Sequence, residues 1–255
     1  MIKLNNVTAG YNKVEIIKNI NIGFEEGSIT SIVGKNGCGK TTLLRTASNL
    51  LIPFRGNVTI NRKDISTISN KELAKKVSFL PQLRVVPNIT VYNLVMHGRY
   101  PYLGFSRTPQ QQDKETVREA IENMGLNNCI DKNIQELSGG QRQKVYIAMV
   151  LAQDTDIIFL DEPTTYLDIN HQLEILEILK KLKQMGKTII MVLHDLGNAL
   201  SHSDKICLME NGEVVIYETP QAVFESKAID RIFKINSAQV LVEDKGDKQY
   251  VFYLK

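Results

Sequence analysis

The feature that most constrains this chain is a glycine-rich loop between an apolar strand and a helical run. The segment from Gly34 to Thr42 reads Gly-Lys-Asn-Gly-Cys-Gly-Lys-Thr-Thr and fits the pattern GxxxxGK[ST]. Apolar Ile29 to Val33 precede it, and the helical run Leu43 to Leu50 follows. Glycines let backbone N–H groups turn inward around an oxyanion, and a helix start adds its positive end. The segment therefore predicts a loop that binds phosphate groups.

Each position of this loop has an expected task. Lys40 is placed to reach the β- and γ-phosphates of a nucleotide, and Thr41 to ligate Mg²⁺. Two interpretations of Cys38 stay open: a small residue that fills the loop, which we favour, or a thiol whose pKa is lowered by the helix start. The remaining contacts to the nucleotide are assigned to Gly34, Asn36, Gly37, Cys38, Gly39 and Thr42.

Two carboxylates follow a second apolar strand. Ile157 to Leu160 lead into Asp161 and Glu162, so both acids are expected at the carboxyl edge of a sheet, where ligands bind. Asp161 is suited to hold Mg²⁺ through water, and Glu162 can polarise the water that attacks a γ-phosphate. An acidic strand end is also common as an ordinary turn, so this signal needs the others.

A second helix start carries glycines and a hydroxyl. Leu137-Ser-Gly-Gly-Gln141 precedes a helical pattern that runs through Ala152, which again makes an anion-binding end. A serine N-cap followed by two glycines would explain the helix but not the whole pentapeptide. One chain therefore carries two phosphate-binding helix starts.

The apolar pattern predicts an α/β fold. Three continuous apolar stretches, Ile29 to Val33, Asp156 to Leu160 and Thr188 to Leu193, are typical of parallel strands covered on both faces. Between the last two, apolar residues after Asp168 recur at helical spacing until Gly186. Strand, helix and strand in this order indicate a crossover unit.

A helical insert and antiparallel ends complete the predicted architecture. The insert contains a helix that we expect to start at the N-cap Thr108 and Pro109 and to end at Gly125. Alternating segments near both ends, such as Glu213 to Tyr217 and Gln249 to Leu254, predict antiparallel strands. The chain is read as one domain, with residues 1–85 and 153–215 as nucleotide-binding core and β subdomain, 86–152 as helical subdomain, and 216–255 as a small appendage.

Composition excludes several classes of protein. Among 255 residues, 31 Lys and Arg against 28 Asp and Glu give a net charge of +3, too balanced to indicate nucleic acid or anionic lipid. The apolar runs are far shorter than the roughly 20 residues of a membrane-spanning helix. The N-terminus lacks a secretion signal, and three scattered cysteines indicate reduced thiols, so a cytoplasmic location is expected.

Taken together, the motifs resemble those of the ATP-binding-cassette ATPases. The resemblance rests on the phosphate loop, LSGGQ, Leu160-Asp-Glu-Pro163 and His194 in Val192-Leu-His-Asp195, and it covers nearly the whole chain. It implies a P-loop NTPase core of the RecA-like kind that binds and hydrolyses ATP with Mg²⁺. It also implies a head-to-tail dimer, in which the phosphate loop of one copy and the LSGGQ of the other close on the same ATP.

The resemblance assigns further roles residue by residue. Tyr11 matches the aromatic that stacks on adenine, and Gln82 the glutamine that senses Mg²⁺ and the attacking water. His194 matches the histidine that contacts the γ-phosphate, which with Glu162 and Gln82 makes the catalytic set. Asp168 belongs to the loop that contacts the partner's site. The partner's γ-phosphate would be met by Ser138, Gly139 and Gly140, while Gln141 supports the loop.

Without the surrounding motifs, each of these residues would be interpreted as a structural residue with no role in function. Tyr11 would be a half-buried strand residue, Gln82 a surface amide and His194 a core histidine. Three other histidines have no such context and are assigned no role: His97, His171 and His202.

A narrower resemblance concerns the transported cargo. Gly98-Arg-Tyr-Pro-Tyr-Leu-Gly104, with residues 151–154 and 161–172, is similar to ATPases of importers for ferric siderophores, haem and vitamin B12. The match is less complete at Lys144-Val-Tyr146 and at Leu196-Gly197. It implies a membrane permease docked on the insert, an extracytoplasmic binding protein acting through it, and a location on the inner face of the membrane.

Alternatives to this reading stay open. Tyr100 and Tyr102 contact the permease or are half-exposed loop aromatics. A cassette ATPase that acts on DNA or ribosomes would share the motifs, but it usually carries a coiled-coil insertion or a second cassette, and no nucleic acid partner is expected here. A cassette for another cargo or for export is a further alternative. A P-loop kinase, a GTPase and a scaffold are disfavoured by LSGGQ and by the hydrolytic residue types.

Overall fold

The computed structural model describes residues 1–82, 86–104, 108–242 and 247–254, which form twelve strands and nine α-helices. The strands are β1 (Ile2–Tyr11), β2 (Val14–Phe24), β3 (Ile29–Gly34), β4 (Arg55–Ile60), β5 (Lys63–Asp64), β6 (Val77–Leu80), β7 (Ile157–Asp161), β8 (Thr188–Val192), β9 (Lys205–Glu210), β10 (Glu213–Glu218), β11 (Ile235–Val242) and β12 (Asp247–Leu254). The helices are α1 (Lys40–Ala47), α2 (Asn70–Leu73), α3 (Val91–Met96), α4 (Gln111–Asn123), α5 (Gly139–Ala152), α6 (Ile169–Gln184), α7 (Leu196–His202), α8 (Pro220–Glu225) and α9 (Ala228–Phe233).

The chain divides into two compact units. The first unit contains Met1–Thr67 and Thr188–Lys255, and the second contains Ile68–Lys187. The subdomain boundaries that we predict at residues 85, 152 and 215 differ from this division, which follows the contacts between residues. Those boundaries stay a prediction. The predicted α/β class is confirmed, because parallel strands, antiparallel strands and helices all occur.

In the first unit, four strands follow the order β10–β9–β3–β8. Strand β3 runs parallel to both β8 and β9, and β10 pairs antiparallel with β9. Every residue of β3 and β8 is buried, as the continuous apolar runs predict. Because parallel strands end at the same edge, the loops after β3 and β8 emerge side by side.

A separate antiparallel sheet completes the first unit, in the order β2–β1–β4–β5. The β1–β2 turn is made by Asn12 and Lys13, both with positive φ (50° and 65°), as a tight hairpin requires. At the other end of the chain, β11 and β12 form an antiparallel hairpin that contacts α7. The antiparallel strands expected at both ends of the chain are therefore present.

In the second unit, β6 and β7 pair in parallel from Val77 opposite Ile157 to Leu80 opposite Leu160. All of β7 is buried. The described residues between 86 and 152 form helices and tight turns, with a bridge between Thr90 and Asn133 as their strand-like pairing. Helix α6 begins at Ile169, directly after Asp168 as the apolar spacing predicts, and Asp168 is its N-cap.

The predicted N-cap of α4 is wrong by two residues. Its N-cap is Gln110 rather than Thr108. The reason is the carboxylate of Asp113, whose Oδ2 accepts the Gln110 backbone N–H at 3.0 Å and whose Oδ1 accepts Arg99 Nε at 2.9 Å. This buried ion pair with a distant residue sets where the helix begins, and a local N-cap pattern does not contain it.

Candidate functional site

The glycine-rich loop leaves β3 at Gly34 and enters α1 at Lys40. A Cβ on Gly34 would lie 2.4 Å from the Met209 carbonyl oxygen, so the backbone passes too close to β9 for a side chain. Gly39 is the N-cap of α1 and has a φ of 102°, a left-handed conformation that favours glycine. The glycines therefore let the loop curl tightly over the edge of the sheet, and α1 begins without a side chain at its cap.

The ammonium group of Lys40 lies inside this loop. The residue is 6% exposed, and its Nζ donates hydrogen bonds to the carbonyl oxygens of Gly34 (2.8 Å) and Lys35 (3.0 Å). The two carbonyl oxygens accept hydrogen bonds but carry no net charge, so a positive charge stays at the centre of the loop. Together with the N-terminus of α1, this makes a loop that fits a phosphate group.

The structure decides between the two interpretations of Cys38. Burial raises the pKa of its thiol above the ordinary value, and the nearby ammonium of Lys40 offsets this only in part. The interpretation with a lowered pKa is therefore wrong, because the thiol is removed from water within the loop. Cys38 is a small buried residue whose sulfur packs against Gly34, where an added Cβ would lie 2.7 Å away.

A support of the loop escaped the sequence reasoning. The backbone N–H of Gly212 donates to the Cys38 carbonyl oxygen at 3.1 Å, and the Gly212 carbonyl accepts the Lys18 N–H at 2.8 Å. The turn between β9 and β10 thus ties the loop to β2. The available signal was the Asn211-Gly212 dipeptide between two strands, which is typical of a hairpin, but its contact with the loop could not be read from the chain.

Two other predicted residues lie in the first unit. His194 is exposed and comes directly after Leu193, whose N–H donates to the Ile32 carbonyl at 3.2 Å. His194 therefore follows the strand next to β3, near the edge from which the phosphate loop emerges. Tyr11 is 41% exposed at the end of β1, and the paired β2 contacts the loop, since a Cβ on Gly39 would lie 2.8 Å from Ile17 Cγ2.

In the second unit, the predicted acids and glutamine come together. Asp161 is buried at the end of β7, and Glu162 follows in a left-handed conformation with a φ of 55°. One carboxylate oxygen of Glu162, Oε2, accepts Gln82 Nε2 at 2.6 Å and Thr165 Oγ1 at 3.1 Å. A non-glycine residue in this conformation is uncommon and occurs often at functional sites. The carboxylate is thus oriented by two side chains.

The LSGGQ segment forms the N-terminus of α5 with a complete capping box. Ser138 Oγ accepts the Gln141 N–H at 3.2 Å, and Gln141 Oε1 accepts the Ser138 N–H at 3.1 Å. Gln141 therefore holds the loop together. Gly139 is exposed and Gly140 is buried.

Asp168 lies in the loop between Glu162 and α6. Its carboxylate accepts the backbone N–H of His171 at 2.9 Å and lies 2.8 Å from His171 Nδ1. These hydrogen bonds hold the pKa of Asp168 below its usual range, and the one from the His171 backbone has the largest effect. The carboxylate is therefore ionised at neutral pH, and His171 Nδ1 is the donor. Nearby Tyr166 is 85% exposed.

Comparison with known proteins decides what these motifs belong to. The family model described as ABC transporter matches residues 17–165, more than half of the chain. This chain belongs to the ABC transporter family. It is an ATP-binding and ATP-hydrolysing subunit, as the same domain is in the relatives that follow.

The relatives of this ABC ATPase include two iron transport proteins. It is 40% identical over 229 residues to the ferric enterobactin transport ATP-binding protein FepC of Escherichia coli strain K12, covering 89% of this chain and 84% of that one. It is 40% identical over 242 residues to the iron(3+)-hydroxamate import ATP-binding protein FhuC of Bacillus subtilis strain 168, covering 94% and 89%.

Among solved structures, the ABC ATPase resembles a dimeric ATP-binding cassette in a post-hydrolysis state with ADP and phosphate. The identity is 31% and the TM-score 0.75, with 86% of this chain and 99% of that chain covered. Within the described parts of the present chain, no helix combines the length and apolar character needed to span a membrane.

Proposed function

We propose that this ABC ATPase drives an importer, and that two copies hold two ATP molecules between the phosphate loop of one and the LSGGQ segment of the other. The observation that carries the hydrolytic part is the carboxylate of Glu162, held by Gln82 and Thr165 directly after a buried strand. An oriented carboxylate can polarise a water molecule for attack on a γ-phosphate.

The other residues take the tasks that their positions suit. Lys40 and the start of α1 bind the β- and γ-phosphates, with backbone groups of residues 34–42 around them. Tyr11 stacks on the adenine ring. His194 contacts the γ-phosphate and helps to hold the catalytic arrangement, and Gln82 senses Mg²⁺ and the attacking water. Ser138, Gly139 and Gly140 meet the γ-phosphate of the ATP bound by the other copy, and Asp168 contacts that copy.

Mg²⁺ is the cation that we propose to accompany the bound ATP. Among the described residues no group of three or more His, Cys, Asp and Glu could hold a metal by itself. Mg²⁺ needs no such cage, since it usually takes one or two protein ligands together with phosphates and waters. Thr41, Asp161 and Gln82 would supply hydroxyl, carboxylate and amide oxygens. When bound, Mg²⁺ neutralises charge on the transferred phosphate.

Transport follows from the pairing. An intact γ-phosphate attracts two positively polarised helix ends, one from each copy, and therefore favours the closed dimer. Hydrolysis separates that charge from the nucleotide, and the dimer opens. A permease bound to both copies would alternate its conformation with this cycle, because ATP binds the two states with different affinity.

The cargo is proposed from the relatives. FepC and FhuC are named for ferric enterobactin transport and iron(3+)-hydroxamate import. We assign this chain to the same class of importers, for a ferric siderophore, haem or cobalamin. Integral permease subunits would hold it at the inner face of the membrane, and an extracytoplasmic binding protein would deliver the cargo. Tyr100 and Tyr102 are the proposed permease contacts.

Replacement of Glu162 by Gln tests the central role. The Glu162→Gln variant should bind ATP and accumulate as a closed dimer, while the hydrolysis rate falls by about a hundredfold or more, because the general base is lost. Dimer formation is measured by sedimentation velocity with and without ATP, and hydrolysis by phosphate release. Glu177→Gln, an exposed carboxylate on α6, is the matched control. Hydrolysis at the parental rate in the Glu162 variant would refute the assigned role.

A further inference from the structure

His171 connects the two segments of the second unit that are proposed to face the partner subunit. One of its contacts is with Asp168, through the backbone N–H at 2.9 Å and through Nδ1 at 2.8 Å, both to Oδ1. The side chain of Asp168 is 66% exposed, whereas that of His171 is 34% exposed. The histidine is thus the better anchored member of the pair and restricts where the carboxylate can lie.

The second contact of His171 is with the LSGGQ segment. A Cβ on Gly140 would lie 2.0 Å from His171 Cδ2, 2.5 Å from Cγ and 2.6 Å from Nε2. The imidazole therefore covers the Gly140 backbone so closely that a side chain at this position would require the ring to move. A Cβ on neighbouring Gly139 would lie 3.9 Å from Leu167 Cδ2, an ordinary contact with the Asp168 loop. Gly140 thus faces the first turn of α6, and Gly139 faces the loop that precedes it.

An ion pair holds the same two helices together further along. Lys144 of α5 and Glu174 of α6 are 2.8 Å apart, and hydrogen bonding to Lys144 lowers the pKa of Glu174. Lys144 is five residues beyond Gly139, and Glu174 is three beyond His171. The contact of His171 with Gly140 is therefore one of two side-chain contacts that join the N-terminal halves of α5 and α6.

We infer that His171 is a positioning residue for ATP-driven pairing: its ring fixes the LSGGQ backbone at Gly140 while its Nδ1 holds the Asp168 carboxylate, so both segments meet the partner as one rigid surface. The inference rests on the proposed function, in which these segments contact the other copy. His171 touches neither nucleotide nor metal in this role. Its loss should therefore impair pairing and leave ATP binding by a single chain unchanged.

The test compares pairing with ATP binding in the Glu162→Gln background. Pairing is measured by sedimentation velocity over a range of protein concentrations with ATP. Binding to the single chain is measured with a fluorescent ATP analogue at concentrations below those that give dimers. His171→Ala should raise the protein concentration needed for half-maximal pairing by about tenfold, with unchanged affinity for the analogue. His97→Ala, an exposed histidine of the same unit, should change neither quantity.

Two further variants distinguish the contact of His171 with Gly140 from its contact with Asp168. His171→Asn keeps a donor near the Nδ1 position but removes the ring from Gly140, so it should recover only part of the pairing. Gly140→Ala should weaken pairing because its Cβ collides with the ring. The double variant with both Gly140→Ala and His171→Ala has no ring for the new Cβ to collide with. It should therefore pair at least as well as whichever of the two single variants pairs less well. Strictly additive losses would contradict the contact between the ring and Gly140.

The outcomes distinguish this inference from the proposed function. If the parent Glu162→Gln chain forms no dimer with ATP, the proposed pairing is wrong, whatever His171 does. If the parent pairs and His171→Ala pairs equally well, the inference alone is wrong. Equal losses of pairing and of affinity for the analogue would also overturn it, since they indicate general damage to the fold. Thermal unfolding of each variant, which should stay near that of the parent, checks that point directly.

Discussion

The two glycine-rich helix starts of this chain satisfy their backbone groups in opposite ways. The N-cap of helix α1 is Gly39, which has no side chain to accept a hydrogen bond, and the ammonium group of Lys40 is turned back onto the loop carbonyls. The N-cap of helix α5 is Ser138, and its reciprocal capping box with Gln141 satisfies the backbone N–H of each of these two residues. Both starts follow the same principle of anion binding at a helix N-terminus.

The difference indicates a division of labour. The phosphate loop carries a buried positive charge and an uncapped helix start, so it can bind a nucleotide by itself. The LSGGQ segment is already capped by its own side chains and adds no cation. In the proposed dimer it would therefore be the weaker of the two sites and would act on ATP already bound by the partner copy. Binding and pairing should therefore respond separately to mutation.

The largest effect is expected at the start of α1, where Lys40 supplies the buried positive charge. Lys40→Ala removes the buried ammonium and should weaken ATP binding by about a hundredfold, because a phosphate loses its buried counter-charge. The measurement is a titration with a fluorescent ATP analogue. Lys35→Ala, an exposed lysine of the same loop, is the control and should stay within a few-fold of the parent. Similar losses in both variants would mean that net charge, rather than the position of Lys40, attracts the nucleotide.

A smaller effect is expected at the capped start. Ser138→Ala should lower the free energy of unfolding by about 1 kcal/mol, the usual cost of a lost N-cap, and should reduce ATP-driven pairing while leaving ATP binding by the single chain intact. Thr219→Ala removes a comparable cap, that of α8, and should cost similar stability without affecting pairing. If the control impaired pairing equally, loss of stability would suffice to explain both variants.

The pH dependence of Cys38 labelling tests whether the phosphate loop shields this thiol from water. Because burial raises the pKa of Cys38, its thiol is protonated at about pH 7 and should react with iodoacetamide more slowly than a free cysteine. The sign follows from the raised pKa: labelling should accelerate as the pH rises toward and beyond the ordinary thiol value. Mass spectrometry of the peptide with Cys38 measures the rate. Rapid labelling near neutral pH would indicate an open, unprotected loop.

The smallest effect concerns the interior of α5. Among the described residues, the Tyr146 hydroxyl is the buried side-chain polar atom that has no hydrogen-bond partner, and burial raises its pKa. Tyr146→Phe removes the unsatisfied group and should leave the free energy of unfolding in urea unchanged or raise it by about 1 kcal/mol. Tyr102→Phe loses a bond from its hydroxyl to the Asp154 carbonyl and should be destabilised instead. A clear loss of stability in Tyr146→Phe would reveal a partner for this hydroxyl.

Sequence reasoning succeeded where a pattern is contiguous. The buried strands, the glycine loop, the acids after β7 and the two helix starts each occupy a few adjacent residues, so local chemistry was enough to predict them. Gln82 was singled out only through the family resemblance, and its contact with Glu162, 80 residues further along the chain, was not predicted. The start of α4 was missed for the same physical reason, since its carboxylate is held by Arg99.

The amino-acid order was thus sufficient for the α/β class, for the phosphate loop and for membership in a family of ATPases, because these depend on short segments with strong local preferences. Tertiary structure decided what each segment touches. It raised the pKa of Cys38 by removing the thiol from water, tied the loop to the Gly212 turn, and placed His171 against Gly140. Burial and contacts between distant residues set these properties, and neither is written in the local pattern.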